Sequence, residues 1–145
     1  MRYLLIILSI TIVLPNIRVF DGDRAFSYIQ RQCDFGPRYP GSDGHLDFKN
    51  YLNEFLSDKG DTLISYEHII KHPYANHDIP LYNFLIRFNL KSKNRILFMA
   101  HWDTREIADK DNNPDNINKP IIGANDGASG IAVLMVLSEI LNSYP

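Results

Sequence analysis

His101, Asp103 and Asp126 are the residues of this chain whose types and spacing suit chemistry. His101 and Asp103 stand two apart in the segment AHWDTR, residues 100–105, directly after the apolar run ILFM at 96–99. Residues two apart on a strand share a face, so Asp103 is placed to accept the second ring N–H of His101 and fix its tautomer. Asp126 lies in GANDGASG, residues 123–130, just ahead of a second apolar run. The glycines at 123, 127 and 130 allow close backbone approach there. Main-chain N–H groups at a helix start favour an ionised carboxylate. Imidazole nitrogen and carboxylate oxygen, held rigidly, are zinc donors. The three residues therefore read as half of a zinc site, with His101 and Asp126 as metal ligands and Asp103 as the catalytic residue beside them.

Taken singly, each motif has a plain structural reading. His-x-Asp is also an ordinary structural pair, and an aspartate before a helix is also a simple cap. The combination points further, because a strand end and a helix start meet where open α/β sheets place their chemistry.

The elements that must position these groups follow from periodicity and punctuation. Asp21 to Cys33 reads as a short helix, with Phe26, Ile29 and Cys33 at helical spacing. FGPRYPGS, residues 35–42, holds two prolines and two glycines and reads as a rigid turn. A second helix is predicted from Asp43 to Lys59, stopped by Gly60. Asp61 to Ile70 and Leu81 to Leu90 read as strands, with a loop from Lys71 to Pro80 between them. Arg95 to Ala100 reads as a third strand, antiparallel to the second across the turn Lys91 to Asn94. Its apolar run does not alternate, as expected of a central strand covered on both faces. Glu106 to Lys119 is a polar surface loop. Ile131 to Leu141 is apolar almost all round and predicts a helix buried on more than one side.

With 145 residues, 45% hydrophobic and 22% charged, the chain suits one globular domain. A net charge of −2 and no basic run argue against a nucleic-acid partner. The one cysteine, Cys33, excludes an internal disulfide and suits buried packing. Met1 to Leu14 has a basic start and a short apolar run ended by Pro15, the pattern of a signal peptide. The run is shorter than the roughly 18 residues of a spanning helix. Residues 1–20 are thus expected to direct export, to the periplasm or outside the cell. They lack a clean cleavage site, so an N-terminal anchor, the one expected membrane contact, stays open. The domain proper is expected at 21–145.

At AHWDTR, GANDGASG and FGPRYPGS the chain resembles the superfamily of zinc aminopeptidases and glutaminyl-peptide cyclotransferases, over roughly Phe35 to the C-terminus. The arginine-containing turn, and the Trp and Arg flanking Asp103, look closer to the cyclotransferase branch. The resemblance implies an α/β fold, a three-layer sandwich with a mixed, mostly parallel central sheet, here incomplete. It implies one or two zinc ions and a peptide N-terminus as substrate. Asp126 matches the aspartate that bridges two zincs in aminopeptidases and binds the single zinc in cyclotransferases. His101 matches a zinc ligand of the two-metal enzymes and need only lie nearby in single-zinc relatives. Asp103 matches the supporting residue. A cis peptide is implied at Asp126–Gly127, at a cost of roughly 3 kcal/mol. The general acid/base Glu, a further carboxylate ligand and the last His ligand of the superfamily fall beyond the final helix. This chain is therefore expected to be inactive alone. A cyclotransferase is the first reading, a two-zinc aminopeptidase the second, and a non-catalytic piece of the same fold the third.

Other residues have weaker claims. His68, His72 and His77 suggest a metal cluster, but Pro73 breaks any helix that would align them. His45, near a helix start, is expected to be solvated. Trp102 suits either a pocket wall or core packing. Arg105, Asp109 and Asp111 suit a site entrance or a solvated loop, and Glu139 is expected to lie out of reach on the last helix.

Overall fold

A computed structural model describes residues 19–144. The expected leader falls almost wholly outside the described residues. Among the described residues no helix is long and apolar enough to cross a membrane. Within residues 19–144, three helices and two strands follow in the order α1 (Gly22–Asp34), α2 (Asp43–Leu56), β1 (Thr62–Lys71), β2 (Asp78–Arg87) and α3 (Ala128–Asn142).

The first two helices start on side-chain caps. Asp21 accepts from Arg24 N at 2.9 Å, and Ser42 Oγ accepts from His45 N at 3.1 Å. Each such cap is worth about 1 kcal/mol. α3 starts on Gly127 at φ +100°, with no side-chain cap. Asp126 is thus not the cap of this helix, and its carboxylate is left for other work.

β1 and β2 pair antiparallel from Thr62↔Arg87 to Lys71↔Asp78. The expected loop from Lys71 to Pro80 is shorter than read, because β2 begins at Asp78. Ile79 and Pro80 extend the ladder against Ile70 and Ile69.

The third strand is the main departure. Residues 95–100 join no ladder among the described residues, and the two-stranded sheet has the order β1-β2. The hairpin expected at Lys91 to Asn94 is replaced by a turn in which Ser92 N donates to Asn89 O at 3.0 Å. Arg95 then grips the carbonyls of Phe88 and Leu90 at 2.9 and 2.8 Å. Ile96 and Met99 are 83% and 79% exposed, so the cover expected on both faces is not supplied. A central strand needs neighbours on both edges and helices on both faces. α1, α2 and the hairpin do not provide them here.

The core lies between the three helices and the hairpin. Phe48, Leu52, Leu56, Tyr28, Trp102, Met135 and Val136 form one buried cluster. α3 docks on α1 through Glu139, which accepts from Arg24 at 2.6 and 2.7 Å and from the Tyr28 hydroxyl at 2.6 Å. Arg24 holds the Glu139 carboxyl below its usual range, while burial raises the Tyr28 phenol. α3 is less enclosed than expected: Val133 is 47% exposed. Cys33 is half-buried and unpaired.

Candidate metal centre

The chain from Ala100 to Arg105 and the turn before α3 converge on one open cleft of about 510 Å³, lined by Ala100, His101, Asn125, Asp126, Gly127 and Ser129. His101 Nε2 lies 2.9 Å from Asp126 Oδ1, across a sequence gap of 25 residues. On its other side, His101 Nδ1 lies 3.1 Å from the main-chain oxygen of Asp103 and 3.4 Å from its carboxylate. The expected support by Asp103 is thus made first by its backbone. The carboxylate sits at the edge of hydrogen-bond range.

Gly127 makes this approach feasible. A Cβ there would lie 3.0 Å from Asp103 O and 3.4 Å from His101 Cε1. Gly130 is comparably tight, with Ala100 Cβ 3.0 Å away. The Asp126–Gly127 peptide is trans, since no cis bond occurs among the described residues. The expected cis bond is corrected accordingly: trans is the lower-energy form by roughly 3 kcal/mol for a non-proline peptide.

The donor chemistry of the pair suits a cation. A neutral imidazole carries one N–H and one lone pair. Both ring nitrogens of His101 face oxygen acceptors, so a neutral ring sets one lone pair against another. A cation beside that contact relieves it, and imidazole nitrogen with carboxylate oxygen is a zinc-type donor set. The pair supplies two donors of the four that zinc takes. Among the described residues no set of three or more His, Cys, Asp or Glu side chains is grouped to hold a metal ion.

The remaining candidates lie elsewhere. Trp102 points into the core, 7% exposed, with Nε1 donating to Tyr82 O at 3.3 Å. It therefore packs and does not line the cleft. His45 is not solvated, as its position near a helix start implied. It is 2% exposed and stacked on Trp102, and burial pushes its pKa down to about 4. Its helix turns it inward, because the face carrying Phe48 and Leu52 also carries residue 45. His72 and His77 face each other at 4.8 Å across the hairpin tip, and His72 Nε2 contacts Glu106 at 3.2 Å. Arg105 pairs with Asp109 at 2.8 Å. Asp111 accepts from Asn113 N at 2.8 Å within its own loop. Glu139 is committed to α1.

Two residues at the site were given no individual role by the sequence. Arg38 is fully buried, and its guanidinium donates to the carbonyls of Gln32, Gly36, Trp102 and Gly123 at 2.7 to 3.3 Å. Burial lowers its pKa, opposed by the nearby Cys33 and Asp103. Thr104 Oγ1 accepts from Arg38 N at 2.8 Å, and Thr104 N donates to Arg38 O at 3.2 Å. One signal was present: an arginine inside a proline- and glycine-rich turn.

The fold is similar to that of solved glutaminyl cyclases and zinc-dependent exopeptidases. The chain has a TM-score of 0.81 with a Tannerella forsythia glutaminyl cyclase, at 33% identity over 87% of this chain and 43% of that one. A leucine aminopeptidase precursor from Bacteroides thetaiotaomicron also gives 0.81, at 37% identity over 88% of this chain and 43% of that chain. A Zn-dependent exopeptidase from Parabacteroides distasonis gives 0.81 again, at 30% identity over 87% and 43%. Residues 83–145 match Peptidase family M28. These findings place the chain in the glutaminyl-cyclase and zinc-aminopeptidase superfamily, of which it carries part of the fold. The chain spans about 43% of the length of the solved structures it matches. Among curated proteins none matches.

Proposed function

We propose that this chain carries part of the site of a zinc-dependent glutaminyl-peptide cyclotransferase, which converts an N-terminal glutamine to pyroglutamate with release of ammonia. The observation that supports this most is the 2.9 Å approach of His101 Nε2 to Asp126 Oδ1 at the rim of one cleft. One oxygen of Asp126 is engaged by His101, and the other makes no hydrogen bond among the described residues. That suits an aspartate offering one oxygen to one ion, with His101 alongside. Zinc, when bound, would withdraw electron density from the glutamine side-chain carbonyl. Asp126 would hold the ion with His101 beside it, and Asp103 would keep the His101 ring in place. The partner is a peptide N-terminus, and an exported enzyme suits the basic, apolar start of the chain.

The second reading is a two-zinc aminopeptidase, favoured by the equal TM-score to the leucine aminopeptidase precursor. The intact protein, incubated with Gln-initiated and Leu-initiated peptides, separates the two. Ammonia release without chain shortening supports cyclisation. A freed amino acid supports the peptidase. Neither product, from zinc-loaded and folded protein, leaves the non-catalytic reading.

A further inference from the structure

Arg38 makes no ion pair among the described residues, although it is the largest fully buried side chain. Its partners are four carbonyls on separate stretches of chain: Gln32 in α1, Gly36 in the proline-rich turn, Trp102 between His101 and Asp103, and Gly123 at the start of the turn that carries Asp126. A guanidinium suits this task because its five N–H groups radiate in a fixed plane. The main chain of Arg38 adds a second clasp, exchanging two hydrogen bonds with Thr104. Thr104 in turn backs onto Gly123, where an added Cβ would lie 2.4 Å from Thr104 Cγ2. Both stretches that deliver the site are therefore pinned to one rigid cation. Neither is tied down by a sheet ladder.

We infer that Arg38 is a positioning residue: its fork, holding Trp102 O and Gly123 O together, sets the separation of His101 and Asp126. The inference rests on the reading that these two side chains face a zinc ion. It extends that reading to a residue that touches neither substrate nor metal. Positive charge alone does not suffice. A lysine at 38 brings three donors on one nitrogen and cannot span four carbonyls on diverging segments.

The test uses the intact protein with R38K, T104V and, as a control far from the site, E139Q. Zinc affinity is read by competition with a chromophoric chelator. The His101 ring is read by long-range 1H–15N NMR of the metal-free protein. Folded R38K is expected to bind zinc about 10- to 100-fold more weakly, the range for residues that orient ligands. Its His101 ring resonances are expected to shift. E139Q is expected to lower Tm with both readouts unchanged, which separates positioning from general loosening. Folded R38K with zinc affinity within twofold of wild type and unshifted His101 resonances overturns the inference. If R38K does not fold, T104V decides on the same two readouts. If the wild type itself binds no zinc, the zinc reading fails, and the His101 resonances of R38K and T104V alone uphold or overturn the role of Arg38.

Discussion

His45 lies flat on Trp102, with ring centroids 4.4 Å apart and planes inclined by 14°. Since Trp102 directly follows His101 in the chain, the stack anchors the segment that carries His101. It is buried, and the His45 pKa is pushed down to about 4 by burial, with Asp103 opposing weakly.

The consequence is a pH-dependent stability. The unfolded chain takes up a proton at this histidine as pH falls through about 6.5, whereas the folded chain stays neutral until about 4. The contribution is thus complete above pH 6.5 and is lost progressively down to pH 4. It amounts to on the order of 2–3 kcal/mol. Urea unfolding at pH 7.5 and pH 4.5 should show this loss in the wild type and a clearly smaller one in H45F. Equal losses in both would refute the assignment.

Gly44 sets helix propensity against packing. Alanine is favoured over glycine inside a helix by about 1 kcal/mol. A Cβ at Gly44, however, would lie 2.4 Å from Phe35 O and 2.5 Å from Pro37 O, both main-chain atoms. We expect G44A to destabilise by more than about 2 kcal/mol, in the range of an overpacked core. A rise in the denaturation midpoint would show that α2 does not seat on the proline-rich turn as described.

Asp126 and Glu139 should separate cleanly on substitution. D126N is expected to weaken zinc binding by more than roughly 100-fold, beyond the range for residues that only orient ligands. Its unfolding midpoint should barely move, because its side chain is 78% exposed. E139Q should leave zinc affinity intact and cost about 1–2 kcal/mol, discounted because Arg24 is half exposed. Since Arg24 depresses the Glu139 pKa, this stabilisation is present above the unfolded carboxylate value and lost as pH falls through the folded one. The reverse pattern in calorimetry and chelator competition would exchange their roles.

Gly127 combines φ +100° with a position where an added Cβ would lie 3.4 Å from the His101 ring. G127A is expected to cost roughly 1–3 kcal/mol in strain and to weaken zinc binding as well. An alanine variant with wild-type Tm and wild-type zinc affinity would mean that the turn does not have this form.

Much of the helical fold was legible because its cues are local. The two helices were expected from Asp21 and Asp43, close to where they start, but their buried faces were not fully legible: Phe26 is 60% exposed while α1 buries Ala25, Tyr28 and Gln32, and α2 buries Phe48. The two strands were legible as strands but their pairing was not: a hairpin was expected between the second strand and 95–100, whereas β2 pairs with β1 and starts at Asp78, since Asp78 and Pro80 do not advertise a strand. The segment 95–100 was misjudged for a different reason. Its apolar run states what the residues can bury against, and burial depends on neighbours that an isolated window does not contain. His45 was misplaced likewise, and Trp102 was left open: an imidazole near a helix start and an indole near a site each have two environments open to them. Only the packing of α2 against the 100–105 segment selects the buried one.

By itself, the order of residues determined which groups are capable of chemistry here: a histidine after an apolar run, an aspartate inside a glycine turn, and the flexibility those glycines confer. Tertiary structure alone decided that His101 and Asp126 meet at 2.9 Å, that the main chain of Asp103 comes nearer to the ring than its carboxylate does, and that Arg38 ties both segments together. The physical reason is range. Backbone preferences and side-chain periodicity act over a few residues. The distance between two groups 25 residues apart is set by the sum of packing contacts and hydrogen bonds along every element between and beneath them.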